Sequence, residues 1–170
     1  KNLQVTQEEI EEAFAGMDPY FLETLRQAAA NIENFHRQQV HKNFVVNDKP
    51  GIVLGQKYTP IEKAGVYVPG GTAAYPSTVL MDVIPAKVAG VAEIVMTTPA
   101  GKDGKVNPVI LAAAATAGVT KIFKTGGAQA VAALAYGTQS IPAVDKIVGP
   151  GNIYVATAKR KVFGLSLIHI

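Results

Sequence analysis

The chain has 170 residues, of which 48% are hydrophobic and 17% charged, a mixture that is typical of globular proteins and argues against intrinsic disorder. It contains no cysteine, which excludes disulfides, thiolate metal sites and cysteine nucleophiles and fits a reducing cytoplasm. The net charge is +3, and the largest basic cluster, Lys159-Arg160-Lys161, is typical of a solvated helix face. No apolar stretch approaches the ~20 residues of a membrane helix. We therefore expect neither a nucleic-acid partner nor a membrane partner.

Two helices are predicted in the first 42 residues. Thr6 and Glu9 have the spacing of a capping box, and Asp18-Pro19 is a second helix start signal. From Phe21 to Val40, apolar residues recur close to the helical period, which predicts a long amphipathic helix. Such a helix must pack its apolar face against another part of the protein.

His36 and His41 fall on this long helix in the prediction. They would lie roughly 140° apart around its axis, so they do not form a facing pair of metal ligands. Residues 47–51 are predicted to form a turn, and residues 51–58 an extended segment.

From Gly65 onward, short apolar segments alternate with alanine-rich helical stretches. The predicted strands are 66–68, 92–96, 121–123 and 146–148, and the predicted helices are roughly 77–90, 106–117, 126–137 and 151–163. This alternation indicates parallel strands joined by crossover helices. The fold class is therefore α/β, with a parallel sheet, flanking helices and a helical amino-terminal segment.

Three joints between strand and helix carry unusual loops: Tyr67 to Thr78, Thr125 to Ala132, and Gly149 to Asn152. In open α/β sheets, ligands bind beyond the carboxyl ends of the strands, so these loops should open on one edge. Their glycines would let backbone amides approach a ligand closely or simply form turns. Gln129 could cap its helix or meet a ligand, and Asn152 could be a helix cap or part of the same binding surface.

This edge lacks an ionisable catalytic group, and no Ser-His-Asp or paired-carboxylate arrangement is visible in the sequence. A phosphoryl- or acyl-transferring enzyme would need a cation aimed at the loops, and Lys124 is the candidate. A structural fragment that binds neither nucleotide nor phosphate is the non-enzymatic alternative.

Read in order, the loop motifs resemble the histidinol dehydrogenase family. The motifs are Gly65-Val66-Tyr67-Val68-Pro69-Gly70-Gly71, Tyr75-Pro76-Ser77-Thr78-Val79-Leu80-Met81, Gly126-Gly127-Ala128-Gln129-Ala130 and Val144-Asp145-Lys146-Ile147-Val148-Gly149-Pro150-Gly151-Asn152. The likeness runs from about Val5 to Gly164 and is strongest from Lys63.

The resemblance implies an enzyme that oxidises L-histidinol to L-histidine in two NAD-dependent hydride transfers, as a cytoplasmic, zinc-containing homodimer. It implies that Tyr67, Gln129 and Asn152 contact NAD. The family's zinc ligands, catalytic Glu-His pair and main substrate contacts lie beyond the matching region. We therefore expect an amino-terminal fragment without catalytic or metal-binding residues, inactive by itself.

The same resemblance implies a division of the chain. Residues 1–63 would be the helical front, part of an incomplete first domain. Residues 64–164 would be a Rossmann-like NAD-binding domain without the usual glycine fingerprint, and residues 165–170 a divergent tail. His169 falls in that tail, and we do not expect it to bind zinc.

Overall fold

The computed structural model describes residues 2–70, 74–165 and 167–168, the last two by their backbone alone. The helices are α1 (Gln7–Ala15), α2 (Pro19–Arg37), α3 (Pro76–Val88), α4 (Pro108–Ala117), α5 (Gly127–Tyr136) and α6 (Ile153–Lys161). The strands are β1 (Phe44–Lys49), β2 (Ile52–Gln56), β3 (Lys63–Tyr67), β4 (Glu93–Thr98), β5 (Lys121–Lys124), β6 (Lys146–Val148) and β7 (Leu167–Ile168).

Five of these strands form a parallel sheet in the order β5-β4-β3-β6-β7, which confirms the predicted α/β class. β3 lies in the centre, and β4 and β5 lie on the side opposite β6 and β7. This order is that of doubly wound dinucleotide-binding folds. In these folds the first strand is central, and later strands are added first on one side of it and then on the other. The outer edge of β5 is covered by an antiparallel pairing with the amino terminus, where Val5 N donates to Ile122 O at 2.9 Å.

Helices cover both faces of the sheet. On one face α3 and α4 pack together, and α2 and α1 pack over them. On the other face α5 packs against α6. Each face has its own apolar core: Leu80, Met96 and Ile122 are central to the first, and Val131, Leu134 and Ile147 to the second. Both faces of the strands are thus buried, as their continuous apolar runs predict.

The amino-terminal helices begin where the sequence predicts. Thr6 Oγ1 accepts from Glu9 N at 3.3 Å, and the Glu9 carboxylate accepts from Thr6 N at 2.9 Å, which completes a capping box. Asp18 caps α2 by accepting from Tyr20 N. Ile10, Leu22 and Leu25 of these helices join the core formed with α3 and α4. That core includes residues on both sides of the predicted boundary at residue 63, and the boundary stays a prediction.

The segment after α2 differs from the prediction. α2 ends at Arg37, so His41 does not lie on it; the His41 ring instead stacks on Tyr58, with centroids 4.6 Å apart. Periodicity overextended the helix because it counted Val40, which is 52% exposed, as part of the buried apolar face. The predicted turn at 47–51 is also too long, because residues up to Lys49 pair with β2 in an antiparallel hairpin.

Helices α3 and α6 each bring one charged side chain into the interior, and the two charges are opposite in sign. Asp82 of α3 is half-buried, and its Oδ2 atom has no hydrogen-bond partner within the described residues. Lys159 of α6 is 4% exposed. Burial raises the pKa of Asp82 to about 6, and the positive charge of Lys159 partly opposes that rise. The same burial lowers the pKa of Lys159.

We expect Asp82→Asn to stabilise the protein at pH 7 by on the order of 1 kcal/mol, a value reduced for solvent screening of a half-buried carboxyl. The folded state holds the Asp82 proton more tightly than the unfolded state, so the free energy of unfolding should fall as pH rises from 3.8 to about 6. Urea denaturation between pH 4 and pH 8 measures this dependence, and D82N should flatten it. Asp48→Asn, on the exposed hairpin, is the control and should leave the dependence unchanged. A D82N protein that is less stable at pH 7 would contradict the expectation.

Candidate functional site

The carboxyl ends of β3, β5 and β6 bring the three loops singled out in the sequence to one edge of the sheet. β3 and β6 are direct neighbours, yet the chain leaves β3 toward α3 on one face and leaves β6 toward α6 on the other. Such a reversal opens a crevice between the two loops, and ligands of open α/β proteins bind there. Tyr67 ends β3, Gln129 follows β5 and Asn152 follows β6, so all three lie at this edge.

Tyr67 connects the central strand to the start of α5. Its side chain is 5% exposed, and its hydroxyl oxygen accepts from Gly127 N at 3.0 Å. The bond leaves the phenolic hydrogen available as a donor. The phenol therefore satisfies one of the free amides at the start of α5 and still has a donor of its own.

Gln129 lies in the first turn of α5, where the structure decides between the two interpretations of its amide. Helix α5 has no side-chain cap. The Gln129 carboxamide folds over Gly127, where a Cβ atom would come within 2.9 Å of Oε1, and Gly127 has a φ of +69°. Within the described residues this exposed carboxamide makes no hydrogen bond. Gln129 is thus not a helix cap, and its amide is free to meet another molecule.

Asn152 caps α6, as one interpretation of the sequence holds. Its Oδ1 atom accepts from Tyr154 N at 3.1 Å and from Val155 N at 3.2 Å. These bonds use the oxygen of the carboxamide alone. The NH₂ group has no partner in the described parts of the chain, so the same side chain can cap the helix and donate outward.

The glycines that open two of the loops have a packing role. Pro99, which follows β4, lies between the loop after β3 and the loop after β5. A Cβ atom at Gly70 would lie 2.3 Å from the Pro99 ring, and one at Gly126 would lie 2.9 Å from it. The two glycines therefore let the neighbouring loops close around Pro99. Gly71, which shares the first motif, lies outside the described residues.

In the third loop both glycines are required by close contacts. Gly149 has a φ of +120°, and a Cβ atom there would lie 2.0 Å from Tyr67 O. A Cβ atom at Gly151 would lie 2.4 Å from the Val155 side chain. The loop is therefore pressed against the end of β3 on one side and against the first turn of α6 on the other.

A cavity of about 900 Å³ opens beside α1, between the loops that follow β3 and β4. Its lining includes Met17, Gly70, Pro99 and Leu111, with Glu12 and Lys105 forming an exposed ion pair at 3.9 Å. Tyr67, Gln129 and Asn152 do not line it. The three predicted NAD-contacting residues are therefore not part of this cavity.

Lys124, the cation that a phosphoryl- or acyl-transferring enzyme would need, is already engaged. Its side chain is 12% exposed, and its ammonium lies 2.5 Å from the Glu9 carboxylate. The hydrogen bond from Lys124 is the main reason that the pKa of Glu9 lies below its ordinary value. This pairing fastens α1 to the end of β5 and leaves no free ammonium at that position for a phosphate.

Lys159 is the residue of this region that the sequence analysis misjudged. It belongs to the basic triplet that we expected on a solvated helix face, but it is 4% exposed and its ammonium donates to Gly149 O at 2.8 Å. A signal for this exists in the sequence. Lys159 follows the buried Val155 by four residues and so lies on the inner face of α6.

The described ranges contain neither a candidate metal centre nor a candidate membrane-spanning helix. In residues 2–70 and 74–165 no group of three or more His, Asp or Glu side chains could hold a metal ion. His169 lies outside the described residues. Over the same ranges no helix combines the length and the apolar character needed to cross a bilayer.

Comparison with known proteins gives one consistent result. The family model described as histidinol dehydrogenase matches residues 1–170. A histidinol dehydrogenase of Geobacillus kaustophilus (strain HTA426) is 60% identical over 163 residues, 96% of this chain. One of Bacillus subtilis (strain 168) is 59% identical over 160 residues, 94% of this chain.

The structural comparison agrees. The crystal structure of histidinol dehydrogenase from Elizabethkingia anophelis superimposes with a TM-score of 0.96 at 38% identity, over 100% of this chain and 40% of that one. The chain spans 38% of the length of the two sequence relatives. A family-model match along the whole sequence, together with this structural agreement, shows that the chain belongs to the histidinol dehydrogenase family.

Proposed function

We propose that this chain forms the NAD-binding side of an enzyme that oxidises L-histidinol to L-histidine. The family membership supports the reaction, and the geometry of the sheet edge supports the part assigned to this chain. When bound, NAD supplies the hydride acceptor. The residues of this chain bind and orient the dinucleotide, and the groups that act on L-histidinol belong to other parts of the protein.

The observation that carries the proposal is that three neutral polar side chains lie at one edge of the sheet, at the ends of β3, β5 and β6. Tyr67 has a hydroxyl hydrogen available, and Gln129 and Asn152 have amide groups without partners in the described residues. Such groups suit ribose hydroxyls and the amide of a nicotinamide ring. The amino termini of α5 and α6 lie at the same edge and favour the negative charge of a diphosphate.

The proposal includes zinc and a homodimer for the full-length protein, on the strength of the family resemblance. The described residues do not supply a set of zinc ligands, so no step of the reaction is assigned to zinc here. L-histidinol is the proposed substrate, and the cytoplasm is the proposed compartment.

We expect Asn152→Ala to weaken NAD binding by about fivefold to tenfold, because one hydrogen bond is lost and the start of α6 is loosened. The measurement is titration of the 170-residue chain with NAD by calorimetry. Gln129→Ala removes no helix cap and should weaken binding to a similar degree.

Asn107→Ala is the matched control for Asn152→Ala. Asn107 also caps a helix, α4, its Oδ1 accepting from one amide, Val109 N, at 2.9 Å, and it lines the cavity beside α1. N107A should lose its cap and keep its NAD affinity. The opposite pattern, with N107A weakened and N152A unchanged, would place the dinucleotide in that cavity and contradict the proposal.

We expect Tyr67→Phe to lower both stability and NAD affinity. Without the hydroxyl, Gly127 N loses its acceptor, which costs about 1 kcal/mol of stability, and the outward donor is lost as well. Thermal unfolding with and without NAD measures both effects. Tyr136→Phe, at the exposed end of α5, should change neither. Unaltered NAD-dependent stabilisation in Y67F would show that the phenol takes no part in binding.

A further inference from the structure

Lys159 stands apart from the two basic residues that follow it. Arg160 and Lys161 are exposed, whereas Lys159 is 4% exposed and directs its ammonium to Gly149 O at 2.8 Å. A buried lysine is rare unless its charge has a partner, because removing the ammonium from water is costly. The bond therefore marks a site where the structure requires that charge.

The acceptor of this bond belongs to Gly149, the first residue of the third loop, whose position is fixed by close packing. Gly149 lies so close to the end of β3 that a Cβ atom would overlap Tyr67 O, at 2.0 Å. Its carbonyl group has left the ladder of β6, which ends at Val148. The ammonium of Lys159 thus holds the first residue of the loop from the side of α6, while the backbone of Tyr67 supports it from the side of β3.

Asn152 follows Gly149 by three residues and depends on the same anchor. Pro150 restricts the backbone between them, and Gly151 packs against Val155. A shift of Gly149 would therefore be passed along a short, restricted segment to Asn152. The position of Asn152 relative to β3 therefore depends in part on the position of Gly149, together with the capping bonds that Asn152 makes to α6.

We propose that Lys159 is a positioning residue of the dinucleotide site. By binding Gly149 O, Lys159 holds the loop from Gly149 to Asn152 against Tyr67, so that the Tyr67 and Asn152 side chains are presented to the ligand together. This inference rests on the proposed function, since NAD is the ligand whose binding it affects. Lys159 does not line the crevice in this proposal. It acts through the loop.

The charge environment supports this role. Asp82 of α3 is the acidic group whose charge acts on Lys159, and it partly offsets the cost of burying the ammonium. The other polar partner of Lys159 is the Gly149 carbonyl. A charged donor binds a carbonyl more strongly than a neutral donor does, so the ammonium is a firmer anchor than a neutral side chain would be.

The matched control is a lysine that makes the same kind of bond elsewhere. Lys87 of α3 donates its ammonium to Ala117 O, at the end of α4, also at 2.8 Å. Lys87→Met and Lys159→Met remove the same kind of bond by the same substitution, although Lys87 is exposed and Lys159 is buried. A role in general stability alone would leave the NAD affinity of the folded protein unchanged in both variants.

Two measurements on the 170-residue chain test the proposal. The first, the loop exchange, is hydrogen exchange without nucleotide of the Tyr154 and Val155 amides, which donate to Asn152 at the end of the loop, and the second is NAD affinity by calorimetry. In K159M, loop exchange should rise and NAD affinity should fall, each by about tenfold. Lys159→Arg keeps a charged donor and should restore most of the affinity, and K87M should match the wild type in both measurements.

The outcomes separate this inference from the proposed function. If the wild type binds NAD and K159M binds it within twofold, the positioning role is wrong. If the wild type does not bind NAD, the proposed function fails, and unchanged loop exchange in K159M would then also remove the anchoring role. Should K159M fail to fold, Lys159→Gln gives the same readouts, and wild-type loop exchange in folded K159Q overturns the proposal.

Discussion

The contact between Gly149 and the backbone of Tyr67 is the constraint on which the site depends. β3 and β6 are neighbours in the sheet, with Val66 opposite Val148, although the chain between them builds β4, β5 and their helices. The next residues must then separate toward opposite faces. Only a residue without a side chain fits where the two paths are closest, because a Cβ atom at position 149 would overlap Tyr67 O. The two loops therefore diverge from this contact, and ligands of open α/β proteins bind at such a point.

Much of the fold was predictable because it is encoded locally. Alternating apolar strands and alanine-rich helices, with a glycine, proline or helix cap at most joints, predicted the parallel sheet and the position of each helix after Gly65. Thr6 and Asp18 marked the first two helices in the same way. The sequence predictions are wrong where contacts between distant residues determine the ends of a helix or strand. The end of α2 and the extent of β1 depend on packing and on pairing with β2, which local periodicity does not report.

The polar side chains of the candidate site were predictable from the sequence, but the packing contacts that hold their loops in place were not. Strand-end position and motif order identified Tyr67, Gln129 and Asn152, and the structure brings all three to one edge. Their NAD contacts stay a prediction. The sequence attributes the glycines beside them to ligand approach or to turns, whereas Gly70 and Gly126 are also needed to enclose Pro99. Contacts between loops that are distant in sequence cannot be read from either loop alone.

There is a physical reason for a buried ammonium to support a loop of the proposed site, whose own side chains are neutral. A lysine within the crevice would bind a diphosphate strongly, but its long side chain would not fix the position of a ribose or a nicotinamide. Here the charge is used for anchoring, with Asp82 offsetting part of its burial cost. Attraction for the anionic part of a ligand is left to the amino termini of α5 and α6, whose amides have fixed directions. In the proposed function the orientation of the cofactor follows from backbone geometry, and we propose that the bond between Lys159 and Gly149 keeps that geometry in place.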